Sequence, residues 1–225
     1  DLPHSGIRCV VVSLDSHLPE VHDQLRGVPG TFAKAVQAIK DLVQSRDTAR
    51  TDFTVLTSTI LGRHNLSYVP EMVGFFEGIG VDTTLFQPIQ PTFARDSDID
   101  WWKCHPLFPE GSDQIESGVQ HLKELRVTGR RLFQTPEQFD DIGLYFANPA
   151  QLPSGQCRSM DRHLMVDMMG NVRLCFNMDR VGLHPVGNVR QRSLRELWDD
   201  PEVESTRERM RHCREGCGSM LCHAR

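Results

Sequence analysis

Nowhere in the 225 residues does an apolar run approach the roughly 20 needed to span a bilayer. The N-terminus lacks the basic start and apolar core of a secretion signal. Basic residues are outnumbered, 25 Lys and Arg against 30 Asp and Glu, for a formal charge of −5. With no basic stripe, nucleic acid is excluded as a primary partner. Internal repeats and low-complexity tracts are absent too. What remains is ordinary for a globular chain: 39% hydrophobic and 24% charged residues. The seven cysteines are an odd number. Without a secretion signal they favour reduced thiols and metal ligation over a disulfide framework, so a cytoplasmic location away from membranes is expected.

The thiols concentrate in the last third. Cys157 and Cys175 are followed, after a gap, by Cys213-x3-Cys217-x4-Cys222. Between the first two, Leu164–Cys175 alternates around Gly170-Asn171, which predicts a β-hairpin with Cys175 on its second strand. A Gly187-Asn188-Val189 turn and a capped helical turn at Ser193–Trp198 are expected next. Five thiols on a hairpin and one compact turn suit a metal site built from two ends of a small subdomain. Cys213 and Cys217 stand one helical turn apart, a spacing that can offer two sulfurs to one centre. Four thiolates serve an iron–sulfur cluster or a tetrahedral zinc, and ligand chemistry leaves both open.

The first 150 residues alternate strand and helix. Ile7–Leu14, Phe53–Ile60 and Thr83–Ile89 are short apolar runs that predict strands, the first covered on both faces. Phe32, Val36, Ile39 and Val43 form one helical stripe. A second helix is expected from an N-cap at Ser67 to Gly80, with others over Asp113–Val127 and from Thr135 to about Phe146. This rhythm implies right-handed βαβ units and a parallel sheet, whose ligands sit at the C-terminal strand edge. Ser13, Asp15 and Gln87 lie at such strand ends. Cys9, in an apolar strand, is expected to be a small buried hydrophobe. Cys104 and the histidines suggest no ligand set. Asp23 and Arg26 are expected to form a structural ion pair after the strand, or else a contact to a ligand carboxylate. The segment 91–112, with Trp101-Trp102, reads either as a lid or as a packed loop.

Three stretches carry a resemblance. Val12-Ser13-Leu14-Asp15 with His22–Gly27 is similar to the fourth strand and following loop of radical S-adenosylmethionine (radical SAM) enzymes. Asn65 matches a recurrent asparagine after their next strand. Cys157, Gly170-x4-Cys175, Gly187-Asn188-Val189, Leu194-x2-Leu197-Trp198, Arg207-x2-Met210 and the final cysteines resemble an auxiliary-cluster domain of the SPASM or twitch kind. The resemblance implies an α/β fold. Residues 1–150 would be the C-terminal half of a partial (β/α)6 TIM-like barrel, and residues 151–225 a small α+β cluster domain. It implies one auxiliary 4Fe–4S cluster on four of Cys157, Cys175, Cys213, Cys217 and Cys222, and S-adenosylmethionine near Ser13, Asp15, Asn65 and Gln87.

The family's Cys-x3-Cys-x2-Cys loop for the core 4Fe–4S cluster does not occur in these residues. The first residue is Asp1 and a strand follows almost at once, so that loop is expected in a preceding segment of a longer parent chain. By the resemblance, a 5′-deoxyadenosyl radical would abstract hydrogen from a peptide or small-molecule substrate, an oxidoreductase or modifying chemistry. Electrons would come from an external donor such as flavodoxin or ferredoxin. The rival expectation is a non-catalytic zinc- or cluster-binding module. No residue is singled out as catalytic.

Overall fold

The computed structural model describes residues 5–90, 100–149, 159–176, 178 and 182–213. The chain divides into two compact units, Asp1–Ile89 with Cys104–Asn148, and Gln90–Lys103 with Pro149–Arg225.

The first unit is α/β, as the strand–helix rhythm predicts. Its sheet is β1 (Cys9–Ser13), β2 (Thr54–Leu61) and β3 (Thr83–Pro88), in that order and parallel throughout. The free side of β3 takes a further rung from Leu132, which bridges Thr84 in parallel. The Gln134 side chain then continues the ladder, its oxygen accepting from the Phe86 amide (3.3 Å) and its amide donating to the Phe86 carbonyl. Helices α2 (Thr31–Ala49), α3 (Val69–Gly78), α4 (Ser112–Val127) and α5 (Pro136–Ala147) complete the unit. Of these, α2, α3 and α5 pack on the sheet. Ile39, Met72, Phe76, Phe86, Leu122 and Ile142 form fully buried parts of its core.

Several local expectations change. The segment after β1 is a helix, α1 (Pro19–Arg26), ended by Gly27 in the left-handed region (φ 69°). It is short and mostly polar, so it offers no apolar stripe long enough to be read as a helix. Asp23 does not pair with Arg26: its carboxylate caps the next helix, accepting from the amide of Phe32 (2.7 Å), the Thr31 hydroxyl (2.9 Å) and the Gly30 amide. Ser67 is not an N-cap either. Tyr68 holds that position without a side-chain bond, and the Ser67 hydroxyl accepts from Gln114 (3.2 Å). Cys9 is exposed rather than buried, because β1 has one open face. Part of the predicted lid or loop, 91–99, lies outside the described residues; Trp101–Cys104 is a 3-10 turn.

In the second unit, β4 (Met165–Val166), β5 (Asn171–Arg173) and β6 (Gly187–Asn188) form an antiparallel sheet beside α6 (Ser159–Arg162), α7 (Leu194–Trp198) and α8 (Pro201–Arg211). The expected hairpin is present, but its turn centres on Met168-Met169, two residues earlier than predicted, and Cys175 lies past the end of β5 rather than on it. Asp167 closes it by accepting from the amides of Met169 and Asn171 (both 2.9 Å), and Gly170 (φ 85°) supplies the left-handed residue. Gly187-Asn188 is a strand, not a turn. A Cβ on Gly187 would fall 2.3 Å from Leu197 Cδ2, so only glycine lets this strand approach α7. Ser193 and Glu196 form the predicted capping box. Arg207, 7% exposed, ties three pieces together. It donates to the carbonyls of Met160 (3.3 Å) and Trp198 (2.7 Å), and its guanidinium lies 4.6 Å from the centre of the Trp198 ring.

Gly118 on α4 marks another close approach. Alanine in a helix interior is ordinarily better than glycine by about 0.5–1 kcal/mol. Here a Cβ would stand 2.5 Å from Cγ and 3.0 Å from the carbonyl oxygen of fully buried Leu66. Gly118→Ala is therefore expected to destabilise the fold by about 1–3 kcal/mol through overpacking. An equal or higher Tm in thermal unfolding would contradict this packing.

Candidate cofactor and cluster sites

Burial along the strands shows that the sheet has two unlike faces. Val55, Thr57, Thr59 and Leu61 of β2, with Thr84 and Phe86 of β3, are buried on the face the helices cover. The other face carries Cys9, Val11 and Ser13 of β1, all exposed. Register places Ser13 beside Ser58 and Ile60 beside Gln87. Because side chains alternate along a strand, Ser13, Ser58, Ile60 and Gln87 share this open face toward the C-terminal strand ends. Two of the residues expected near the cofactor, Ser13 and Gln87, thus stand on one face with β2 between them. Ser58 and Ile60 join them only through register, which the sequence does not carry.

Asp15 and Asn65 are placed differently: they are buried, at 2% and 1% exposure. The Asp15 carboxylate accepts from the Ile60 amide (2.9 Å) and the Arg26 Nε–H (2.7 Å). Its own amide donates to His22 Nδ1 (3.1 Å), and its carbonyl accepts from the Asn65 side-chain amide (2.7 Å). That same amide group donates to the Ile60 carbonyl (2.8 Å), while the Asn65 side-chain oxygen accepts from the Gly62 amide (2.9 Å). The loop after β2 is fixed from outside as well. The Arg63 amide donates to the Leu107 carbonyl (2.8 Å), and Gln114 donates to the Arg63 carbonyl (2.9 Å). A Cβ at Gly62 would meet the Leu107 oxygen at 2.6 Å, which glycine avoids.

Of the thiols expected as ligands, Cys157, Cys217 and Cys222 lie outside the described residues. Cys175 follows β5 and packs against a core of Met160, Leu174, Met178, Leu183, Val203 and Met210. Cys213 follows α8, its amide donating to the carbonyl of Met210 in that same core (3.0 Å). Both are half-buried and neither is in a disulfide. Cys175 thus borders the apolar core, and Cys213 lies three residues beyond Met210 of that core; soft thiol donors of this kind suit an iron–sulfur centre. No group of three or more metal-ligating side chains assembles among the described residues. None of their helices is long and apolar enough to cross a membrane.

His22 is 1% exposed. Burial pushes its pKa below the ordinary value near 6.5, the nearby Asp15 carboxylate opposing in part. Only the neutral ring accepts the Asp15 amide at Nδ1. The unfolded chain takes up the proton first, so stability is present above about pH 6.5 and is lost as pH falls from there toward the lower folded pKa. Between about pH 7 and about pH 5, the Tm of the wild type should fall more steeply than that of His22→Asn, whose oxygen accepts without titrating. Equal slopes would contradict a neutral buried ring.

Residues 157–219 match the family described as SPASM, an iron–sulfur cluster-binding domain. The chain is 24% identical over 208 residues to the AdoMet-dependent heme synthase of Methanosarcina barkeri, covering 88% of this chain and 55% of that protein. It thus spans about half the length of that curated relative. Among solved structures, Streptococcus suis SuiB superposes with a TM-score of 0.56 at 14% identity, over 89% of this chain and 45% of SuiB. The protein anSMEcpe, solved with bound AdoMet and the Cp18Cys peptide, gives 0.53 at 15% identity, over 95% and 58% of the two chains. At these identities the structural likeness speaks for the fold. The last third of the chain thus matches the SPASM domain, and most of the chain is similar to an AdoMet-dependent heme synthase.

Proposed function

We propose that this chain is the S-adenosylmethionine-binding and auxiliary-cluster portion of an enzyme that removes a hydrogen atom from a peptide or small-molecule substrate. The observation that carries the reading is the SPASM match over residues 157–219, on a unit whose Cys175 packs against its apolar core. The β-strands and helices of the first unit fit half of a partial (β/α)6 barrel. Its open face offers the Ser13 hydroxyl and the Gln87 amide to the ribose, methionine or adenine of S-adenosylmethionine, groups with the required donors and acceptors. Four of Cys157, Cys175, Cys213, Cys217 and Cys222 hold one auxiliary 4Fe–4S cluster. S-adenosylmethionine supplies the 5′-deoxyadenosyl radical chemistry; the protein orients the substrate and excludes water.

A peptide substrate is supported by the peptide bound in the anSMEcpe neighbour. A tetrapyrrole is the second reading, favoured by the heme synthase relative, which has the higher identity. The full-length protein, reconstituted with iron and sulfide and reduced anaerobically by flavodoxin or ferredoxin, should release 5′-deoxyadenosine. Ser13→Ala should lower its affinity for S-adenosylmethionine about tenfold, the worth of one hydrogen bond to a charged or polar ligand group. Cys175→Ala and Cys213→Ala should abolish substrate product while leaving 5′-deoxyadenosine release measurable by chromatography. Absence of 5′-deoxyadenosine from the reconstituted wild type would contradict the proposal.

A further inference from the structure

Asp15 is buried, and the open face does not display its carboxylate. Its four polar atoms are all engaged by protein. The amide meets His22, the carbonyl meets Asn65, one carboxylate oxygen takes the Ile60 amide and the other takes Arg26. These partners come from α1, β2 and the loop after β2, up to 50 residues away in sequence. The Thr59 hydroxyl adds a bond to the Leu14 carbonyl (2.6 Å), one residue earlier. The ends of β1 and β2 are thus held to each other by side chains where the backbone ladder gives out at Ser13 and Ser58.

We propose that Asp15 is a positioning residue for S-adenosylmethionine: with Arg26 it clamps the ends of β1 and β2 so that Ser13 and its neighbours on the open face meet the cofactor. This rests on the proposed function and refines it, since it moves Asp15 from a cofactor contact to the support of one. A buried carboxylate suits the role. It accepts from a backbone amide and a guanidinium together, and out of water each such bond resists displacement. Asparagine in its place has one acceptor oxygen, and its amide would face one of the two donors. Arg26 is the accessible end of the clamp, its side chain 31% exposed against 3% for Asp15.

The test is S-adenosylmethionine binding by equilibrium dialysis to the reconstituted full-length protein, as wild type, Asp15→Asn, Arg26→Met, Arg26→Lys and Asp15→Asn/Arg26→Met. Each disruptive single variant should bind about tenfold more weakly, as expected for loss of one charge-assisted bond. The double variant should bind no more weakly than the worse single, because both act through one clamp. Arg26→Lys should recover most of the affinity. If Asp15→Asn does not fold, Arg26→Met against Arg26→Lys carries the comparison, the lysine variant being expected to bind as the wild type does. Unchanged binding in Arg26→Met, or losses that multiply in the double variant, would overturn the clamp, the latter showing that Arg26 touches the cofactor itself. A wild type that binds no S-adenosylmethionine would instead sink the functional reading on which the clamp rests.

Discussion

A carboxylate almost wholly removed from water must be compensated or it will not stay charged. At Asp15 that constraint organises the first unit. One guanidinium from α1 and one backbone amide from β2 are gathered to meet it. Ordering so many groups costs conformational entropy, which the surrounding apolar core has to offset. What the arrangement gains is definition rather than net stability, since a hydrophobic replacement of equal volume is often as stable as a buried ion pair. Definition is what a cofactor edge needs. Parallel strands diverge where their ladder ends, and here side chains extend the tie beyond the last rung.

The same economy appears on the far side of the sheet, where Gln134 stands in for a strand residue at Phe86. In the second unit Arg207 does comparable work, joining α6, α7 and α8 through two carbonyls and the Trp198 ring. With little sheet and short helices, that unit depends on such ties, on Asp167 in its turn and on an apolar core against which Cys175 packs. A metal held by thiolates adds binding free energy to folding in small units of this kind.

Much of the scaffold was legible because its signals are local. The apolar runs of β1, β2 and β3, the stripe of α2 and the capping box of α7 are each written within a dozen residues. The cysteine spacing with Gly170 and Gly187-Asn188 is similarly local, and it led to the SPASM reading. The candidate cofactor edge was legible only in part. Ser13 and Gln87 follow from strand ends. Their sharing of a face with Ser58 and Ile60 depends on register, and a shift of one residue would reverse every side chain. The partners of Asp15 and Asn65 lie 45 and 50 residues apart, with no periodicity to announce them. Cys9 misled because a β-branched run looks the same whether one face or two is covered.

The central claim is that the last third of this chain holds an iron–sulfur cluster. Anaerobic iron and sulfide analysis with a visible spectrum, on the protein reconstituted over residues 1–225, tests it most directly. The account predicts about four irons and four sulfides per chain with absorbance near 400 nm, lost when Cys175 or Cys213 becomes Ala. One tightly held zinc without that absorbance would contradict it and leave a structural metal module in its place.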